Sequence, residues 1–218
     1  MLLLHYTDMP RAEEAVALLC SPAAQVSAHY VVGEDGRVWR LVDEGRRAWH
    51  AGRSWWAGES DINSRSIGIE ISNPGHSHGY RPFPEAQMLA VMALCRDILA
   101  RHRIPAHRVL GHSDVAPGRK IDPGHLFDWR GLARSGIGVF PDNLVPADLG
   151  EADAVAALAR IGYLTGDRTF ADPVSRMALD SFRRHWEPLA IGQPFDPRGA
   201  AMLQQVAEMC GAAQKPFA

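Results

Sequence analysis

The chain contains 218 residues, 46% of them apolar, and carries a formal net charge of −2 at pH 7. A chain of this length and composition can bury a substantial core in one large domain or in two unequal ones. Because no long block of one charge sign occurs, nucleic acid and anionic membrane surfaces are not expected as main partners.

The first predicted element is a strand over residues 2–4, an apolar run that His5 follows directly. This run is too short for a signal peptide, which needs an apolar stretch of roughly 7–15 residues, and no run approaches the ~20 residues of a membrane span. Cys20, Cys95 and Cys210 form no CxxC pair, which favours reduced, buried thiols. We therefore expect no membrane insertion and a cytoplasmic location; a longer natural start would make it periplasmic or outer-membrane-associated.

A helix is predicted over residues 10–20. Asp8 is expected to be its N-cap, because an aspartate side chain readily accepts hydrogen bonds from the first free amides of a helix. Ala15, Leu18 and Leu19 recur at helical spacing, so the helix should have one apolar face.

A β-hairpin should come next, with strands over residues 26–32 and 37–42 joined by an Asp-Gly turn. His29 lies in the first of these strands, and we interpret it as a histidine hydrogen-bonded within the sheet. Trp49 and His50 then open a loop that holds three tryptophans among glycines. Such aromatic side chains can be core residues, but they also suit a wall that binds sugar or peptide.

Residues 66–71 predict a buried strand that carries one acidic side chain, Glu70. Burying a carboxylate is costly unless it is paired or used, so Glu70 either forms an ion pair or faces a cleft with a raised proton affinity. A long amphipathic helix is predicted after it, over residues 84–102, with Cys95 on its buried side.

The segment over residues 109–125 starts as a strand and then becomes irregular, because it is rich in proline and glycine. It contains His112 and Asp122, which can meet only if the loop folds back on itself. Imidazole and carboxylate both suit zinc, and three protein ligands plus water are typical of catalytic zinc. A third ligand must come from elsewhere, and His5 is the best candidate, although a lone loop histidine is more often structural.

Five stretches in the same order carry a family resemblance: LLLHYT, VSAHYVV, AWHAG, SIGIEIS and VLGHSDVAPGRKIDPGH. Together they resemble the type 2 N-acetylmuramoyl-L-alanine amidases, zinc enzymes that act on peptidoglycan and share their fold with peptidoglycan recognition proteins. The resemblance covers residues 1–140. It implies an α/β (α+β) fold in which helices flank a mixed β-sheet.

The resemblance also implies one Zn²⁺ per chain and hydrolysis of the amide between N-acetylmuramic acid and L-alanine in peptidoglycan fragments, including anhydromuropeptides. We expect the protein to act as a monomer. The implied site residues are the zinc ligands His5, His112 and Asp122, the catalytic residues Glu70 and Lys120, and the substrate-binding residues Trp49 and His50.

A change in composition over residues 136–148 predicts a linker between a catalytic domain (1–140) and a C-terminal domain (141–218). One helix is predicted over residues 151–161, and two Asp-Pro pairs, at Asp172 and Asp196, should start two more. This part resembles a three-helix peptidoglycan-binding-like module. The alternative is a helical cap that only packs on the first domain.

A non-catalytic recognition protein is the rival function, although such members usually lack a zinc ligand. Family members that recycle anhydromuropeptides carry two arginines where this chain has Gln25 and Asp61. In this difference and in its extra C-terminal helices, the chain resembles the exported branch of the family, which has a broader specificity. The preference between anhydro and reducing-end muropeptides therefore stays open.

Overall fold

The structure, a computed structural model, describes residues 1–212. Its centre is a five-stranded mixed sheet with the strand order β3-β2-β4-β1-β5. Strands β2, β4, β1 and β5 run parallel, and β3 pairs antiparallel with β2, so the expected mixed sheet is confirmed. The strands are β1 (Leu2–Tyr6), β2 (Tyr30–Val32), β3 (Val38–Arg40), β4 (Ile67–Ile71) and β5 (Val109–Gly111).

The hairpin β2–β3 is present, although both strands are shorter than predicted. His29 lies just before β2 and is fully buried. The Gly68 amide donates to His29 Nδ1 at 2.9 Å, and His29 Nε2–H donates to the Arg46 carbonyl at 3.0 Å. The interpretation of His29 as a sheet-bonded histidine is therefore confirmed.

The helices surround this sheet. Within residues 1–212, no helix combines the length and the apolar character that a membrane crossing requires. The first five helices are α1 (Ala12–Leu19), α2 (Gly75–His78), α3 (Glu85–Arg101), α4 (His112–Val115) and α5 (Trp129–Arg134). The last three are α6 (Glu151–Ile161), α7 (Pro173–Trp186) and α8 (Pro197–Ala212). The turn α4 was not expected from the Pro- and Gly-rich pattern around it.

Asp8 does not cap α1, so that prediction is wrong. Helix α1 follows Arg11 without a side-chain cap. Asp8 adopts a left-handed backbone (φ 52°) and accepts hydrogen bonds from the amide and the hydroxyl of Ser77 instead. A partner 69 residues away therefore replaces the local one. The apolar stripe of α1 is also only partly buried, since Leu18 is 44% exposed.

Side chains alternate between the two faces of the sheet, as the period of a strand requires. Leu2 and Leu4 point to what we call the first face, where they pack with α3 and α5. Leu3 and Leu110 point to the opposite face, which we call the site face, and they pack with α6, α7 and α8. Each face thus has its own core.

The C-terminal helices begin as predicted. The carboxylate of Asp172 accepts a hydrogen bond from the Ser175 amide at 2.9 Å, and Asp196 accepts one from the Gly199 amide at 2.7 Å. Residues 137–150 are irregular, but Phe140 packs against both cores. The division into two domains at residue 140 stays a prediction.

The three cysteines do not share one environment. Cys95 and Cys210 are buried, and burial raises the pKa of each thiol to about 12. Cys20 is exposed, so the prediction of a buried thiol is wrong there.

Candidate metal centre and cleft

The sheet itself sets two of the candidate residues side by side. Strands β1 and β4 are parallel neighbours, and their register places His5 opposite Glu70. Ile69 and Ile71 belong to the core of the first face, so Glu70 points to the site face, and His5 does the same because it alternates with Leu4. These two residues, 65 positions apart in the chain, are therefore neighbours on the site face.

The loop over residues 111–124, which we call the metal loop, supplies the next two. Strand β5 ends at Gly111, and His112 begins α4 directly beside the end of β1. The chain then folds back, and the Ser113 amide donates to the Asp122 carbonyl at 2.9 Å. The fold-back that the proline and glycine residues predict is thus observed, and it brings Asp122 to His112.

His5, His112 and Asp122 converge on one point. The His5 Nδ1 and His112 Nδ1 atoms lie 2.9 Å apart, and Asp122 Oδ2 lies 3.1 Å from the first and 3.0 Å from the second. All three residues are at most 6% exposed. They form a compact, buried triangle of potential ligand atoms.

The ring nitrogens that point away from the triangle form hydrogen bonds of their own, and these bonds determine which nitrogen of each imidazole carries the proton. His112 Nε2–H donates to the Ala51 carbonyl at 3.0 Å, so a neutral His112 has a free lone pair on Nδ1. The Ser66 hydroxyl donates to the Ile62 carbonyl and accepts from His50 Nε2–H, which leaves His50 Nδ1 as an acceptor.

His50 Nδ1 therefore accepts a hydrogen bond from His5 Nε2–H, at 3.0 Å. Neutral His5 then also carries a free lone pair on its Nδ1. Burial, followed by the neighbouring His112, lowers the pKa of His5 to about 4, which keeps its ring neutral at pH 7.

Three electron-rich atoms thus face one another with no proton between them. Such a cluster is repulsive unless a cation lies among its members. These three residues could therefore hold a metal ion.

Glu70 lies beside this triangle and is partly exposed to the cleft. Its Oε2 atom is buried without a hydrogen-bond partner among residues 1–212. Burial, followed by the charge of Asp122, raises the pKa of the Glu70 carboxyl well above its usual value. This direction agrees with the raised proton affinity expected from the sequence, and the role of Glu70 in proton transfer stays a prediction.

A cleft of about 370 Å³ opens over the triangle. Trp49 stands at its rim with 56% of its surface exposed, and the Arg47 guanidinium lies 4.5 Å from its ring centroid. Lys120, on the metal loop, is half-buried and also lines the cleft. The cleft is lined by His5, Leu18, Trp49, Glu70, Lys120 and Asp122, among others.

His50 differs from the expected arrangement. Its side chain is only 8% exposed, and both of its ring nitrogens are engaged, one by His5 and the other by Ser66. Its ring therefore lies behind a candidate ligand and orients it. A direct contact of His50 with substrate stays a prediction.

Two contributing residues are not identified by the sequence reasoning. Asn63 Oδ1 accepts hydrogen bonds from the amides of His50 and Ala51 and holds the tryptophan-rich loop in place. Arg119 donates to the carbonyls of Ala51 and Arg53 and lies at the cleft. Its position directly before Lys120 is the signal that could have identified it.

Comparison with known proteins identifies the family. Residues 1–125 match the family described as N-acetylmuramoyl-L-alanine amidase. The N-acetylmuramoyl-L-alanine amidase AmiD of Escherichia coli is 35% identical over an alignment 236 positions long, gaps included, that covers 97% of this chain and 83% of that protein. The 1,6-anhydro-N-acetylmuramyl-L-alanine amidase AmpD of Haemophilus influenzae is 39% identical over 48% of this chain and 55% of its own length.

Solved structures agree with these matches. The E. coli AmiD complex with anhydro-N-acetylmuramic acid-L-Ala-D-γ-Glu-L-Lys superposes with a TM-score of 0.84 at 34% identity, over 95% of this chain and 88% of that one. AmpDh3 from Pseudomonas aeruginosa also gives a TM-score of 0.84, at 30% identity, over 95% of this chain and 91% of its own. Both matches extend through most of α6, α7 and α8.

Proposed function

The chain belongs to the N-acetylmuramoyl-L-alanine amidase family, and we propose that it is a zinc-dependent hydrolase of the amide bond between N-acetylmuramic acid and L-alanine. Its substrates would be peptidoglycan fragments, including anhydromuropeptides, since the similar E. coli enzyme is solved with such a molecule. The cytoplasmic location and the monomeric state expected from the sequence stay predictions.

One observation carries the zinc assignment: His5 Nδ1, His112 Nδ1 and Asp122 Oδ2 converge in a buried triangle, while the other nitrogen of each ring is hydrogen-bonded away from it. Their separations of 2.9–3.1 Å are close to the value of about 3.3 Å that tetrahedral zinc with bonds of about 2.0–2.1 Å would require. His5, His112 and Asp122 would hold the ion. When bound, zinc supplies Lewis-acid activation of water and of the scissile carbonyl.

Glu70 is the residue we assign to proton transfer. It projects beside His5 on the site face, and burial with the charge of Asp122 raises the pKa of its carboxyl well above the usual value. A carboxylate with a raised proton affinity can accept a proton from the attacking water and return it to the departing amine. Because Oε2 has no hydrogen-bond partner among the described residues 1–212, it is available to accept the proton.

Lys120 and Trp49 are assigned to the substrate. Lys120 is close enough to Glu70 to lower the proton affinity of that carboxyl, so its ammonium can also stabilise the oxyanion that forms on the carbonyl. The exposed indole of Trp49 offers an apolar wall at the rim of the cleft for a sugar ring or the stem peptide.

The test is hydrolysis of purified anhydro-muropeptides and reducing-end muropeptides, with intact sacculi assayed in parallel. We expect release of the free stem peptide from the fragments, about one zinc per chain, and loss of activity on chelation. Binding of fragments without cleavage, by a protein that holds no zinc, would instead indicate a non-catalytic recognition protein.

A further inference from the structure

A buried polar cluster outside the cleft joins the C-terminal helices to the metal loop. Its centre is Asp114, which lies on α4 and is fully buried. The Tyr163 hydroxyl donates to Asp114 Oδ1 at 2.5 Å, and His185 Nδ1–H donates to Asp114 Oδ2 at 2.8 Å. Tyr163 follows α6 and His185 belongs to α7, so both donors come from the C-terminal part of the chain.

The same carboxylate also holds the start of the metal loop. The Gly111 amide donates to Asp114 Oδ2 at 2.7 Å across a single helical turn that contains His112. A buried carboxylate is stable only when its oxygens accept hydrogen bonds. The conformation of this turn therefore depends on donors that lie 49 and 71 residues further along the chain.

Close packing reinforces the polar contacts. The His185 ring stacks on Trp129 and on Trp186, with 3.7 Å between ring centroids in each case. In the middle of the loop, Gly118 (φ 72°) has no room for a β-carbon, because one would lie 1.9 Å from Met177 Sδ on α7. The C-terminal helices thus fix the metal loop at two separate points.

We propose that Tyr163 and His185 are positioning residues of the metal centre, which act through Asp114 to set the orientation of His112. The C-terminal helices then support the metal site as well as cover the site face. Outer partners that orient a ligand typically contribute about 10–100-fold to metal affinity. The proposal rests on the metal-dependent function above, but it is tested by metal binding and not by turnover.

The experiment measures zinc affinity of the metal-free full-length protein by competition with a chromogenic chelator, without substrate. Tyr163→Phe removes one hydroxyl and keeps the packing, and His185→Ala removes the second donor. We expect each variant to bind zinc more weakly, by up to the roughly 10–100-fold that loss of a group bonded directly to a metal ligand costs. His185→Asn, which places an amide N–H near the position of Nδ1–H, should recover most of the affinity. The visible spectrum of the Co²⁺-substituted variants should show a changed coordination geometry.

Val206→Ala is the matched control. Val206 is fully buried in the core of α8, and its side chain forms no hydrogen bond with the loop. This variant should lower the melting temperature and leave zinc affinity unchanged. The proposal is overturned if Tyr163→Phe and His185→Ala bind zinc as tightly as the natural chain, or if Val206→Ala weakens binding equally. A chain that shows the expected affinities but no hydrolysis would refute the amidase function alone.

Discussion

The two faces of the sheet are built from different parts of the chain. The first face is covered by α3 and α5, both of which lie within residues 1–135. The site face is covered by α6, α7 and α8, and the same face carries the candidate metal centre. The first face is therefore covered by residues that precede the C-terminal helices, whereas the site face needs those helices as its cover.

This difference indicates that the C-terminal helices are part of the fold around the site. Trp56 illustrates the point, because its ring packs edge-on against Tyr163 at 4.9 Å and leaves no room for a β-carbon at Gly162. Four predictions test the contrast between the two faces, in order of decreasing effect.

The largest effect is expected from removal of the C-terminal helices. A chain that ends at Ser135 would expose Leu3, Trp56, Leu110 and Val115, which are at most 1% exposed in the structure. At about 1.5–3 kcal/mol per large apolar side chain, this loss approaches the whole stability of a domain, about 5–15 kcal/mol. We expect an insoluble or unfolded product by circular dichroism. A soluble, folded fragment that still cleaves small muropeptides would show that the catalytic domain is independent.

A change confined to the metal triangle should abolish activity and leave the fold intact. His112→Ala removes one lone pair from the site and leaves two ligands, fewer than the three protein ligands of a catalytic zinc site. We expect loss of zinc at neutral pH by atomic absorption and loss of hydrolysis, while the first face keeps its structure. Full zinc occupancy in His112→Ala would remove His112 from the ligand set, and Asp122→Ala provides the parallel test.

A smaller loss should follow the replacement of Glu70. Glu70→Gln keeps the shape but cannot accept a proton, so kcat should fall by about 10²–10⁴-fold with KM and zinc content nearly unchanged. Lys120→Ala should also lower kcat with zinc retained, because an oxyanion donor acts mainly in the transition state. If Glu70→Gln lost the metal, Glu70 would be a ligand. A near-normal kcat would require another base, and His50 would be tested first.

The smallest effect is expected away from the site, at Glu44, which links β2 to the end of α3. Burial would raise its pKa, but hydrogen bonds from Arg101, Tyr30 and His102 lower the pKa to about 2. A depressed folded-state pKa contributes stability above the unfolded value, and that stability is lost as the pH falls from about 5 towards 2. Glu44→Gln should lower the melting temperature slightly at pH 7, flatten its acid dependence and leave kcat unchanged. An unchanged pH profile of the melting temperature would contradict this role.

The helix starts show where the local sequence is sufficient to predict a capping residue. Asp172 and Asp196 are each followed by a proline, and both cap a helix as predicted. Asp8 has the same residue type but an alternative partner, Ser77, which the fold brings to it. Local capping rules hold where no distant group competes for the same carboxylate.

The sequence by itself determined the strands, the long helix, the two C-terminal caps and the composition of the metal triangle. Alternation, helical spacing and cap residues depend on near neighbours, and the family motifs identify His5, His112 and Asp122.

The tertiary structure decided which distant segments of the chain contact one another. It set His50 behind His5, joined Tyr163 and His185 to Asp114, and made the C-terminal helices the cover of the site face. These contacts depend on parallel strand register and on close packing between residues 45–71 positions apart, which no local pattern specifies.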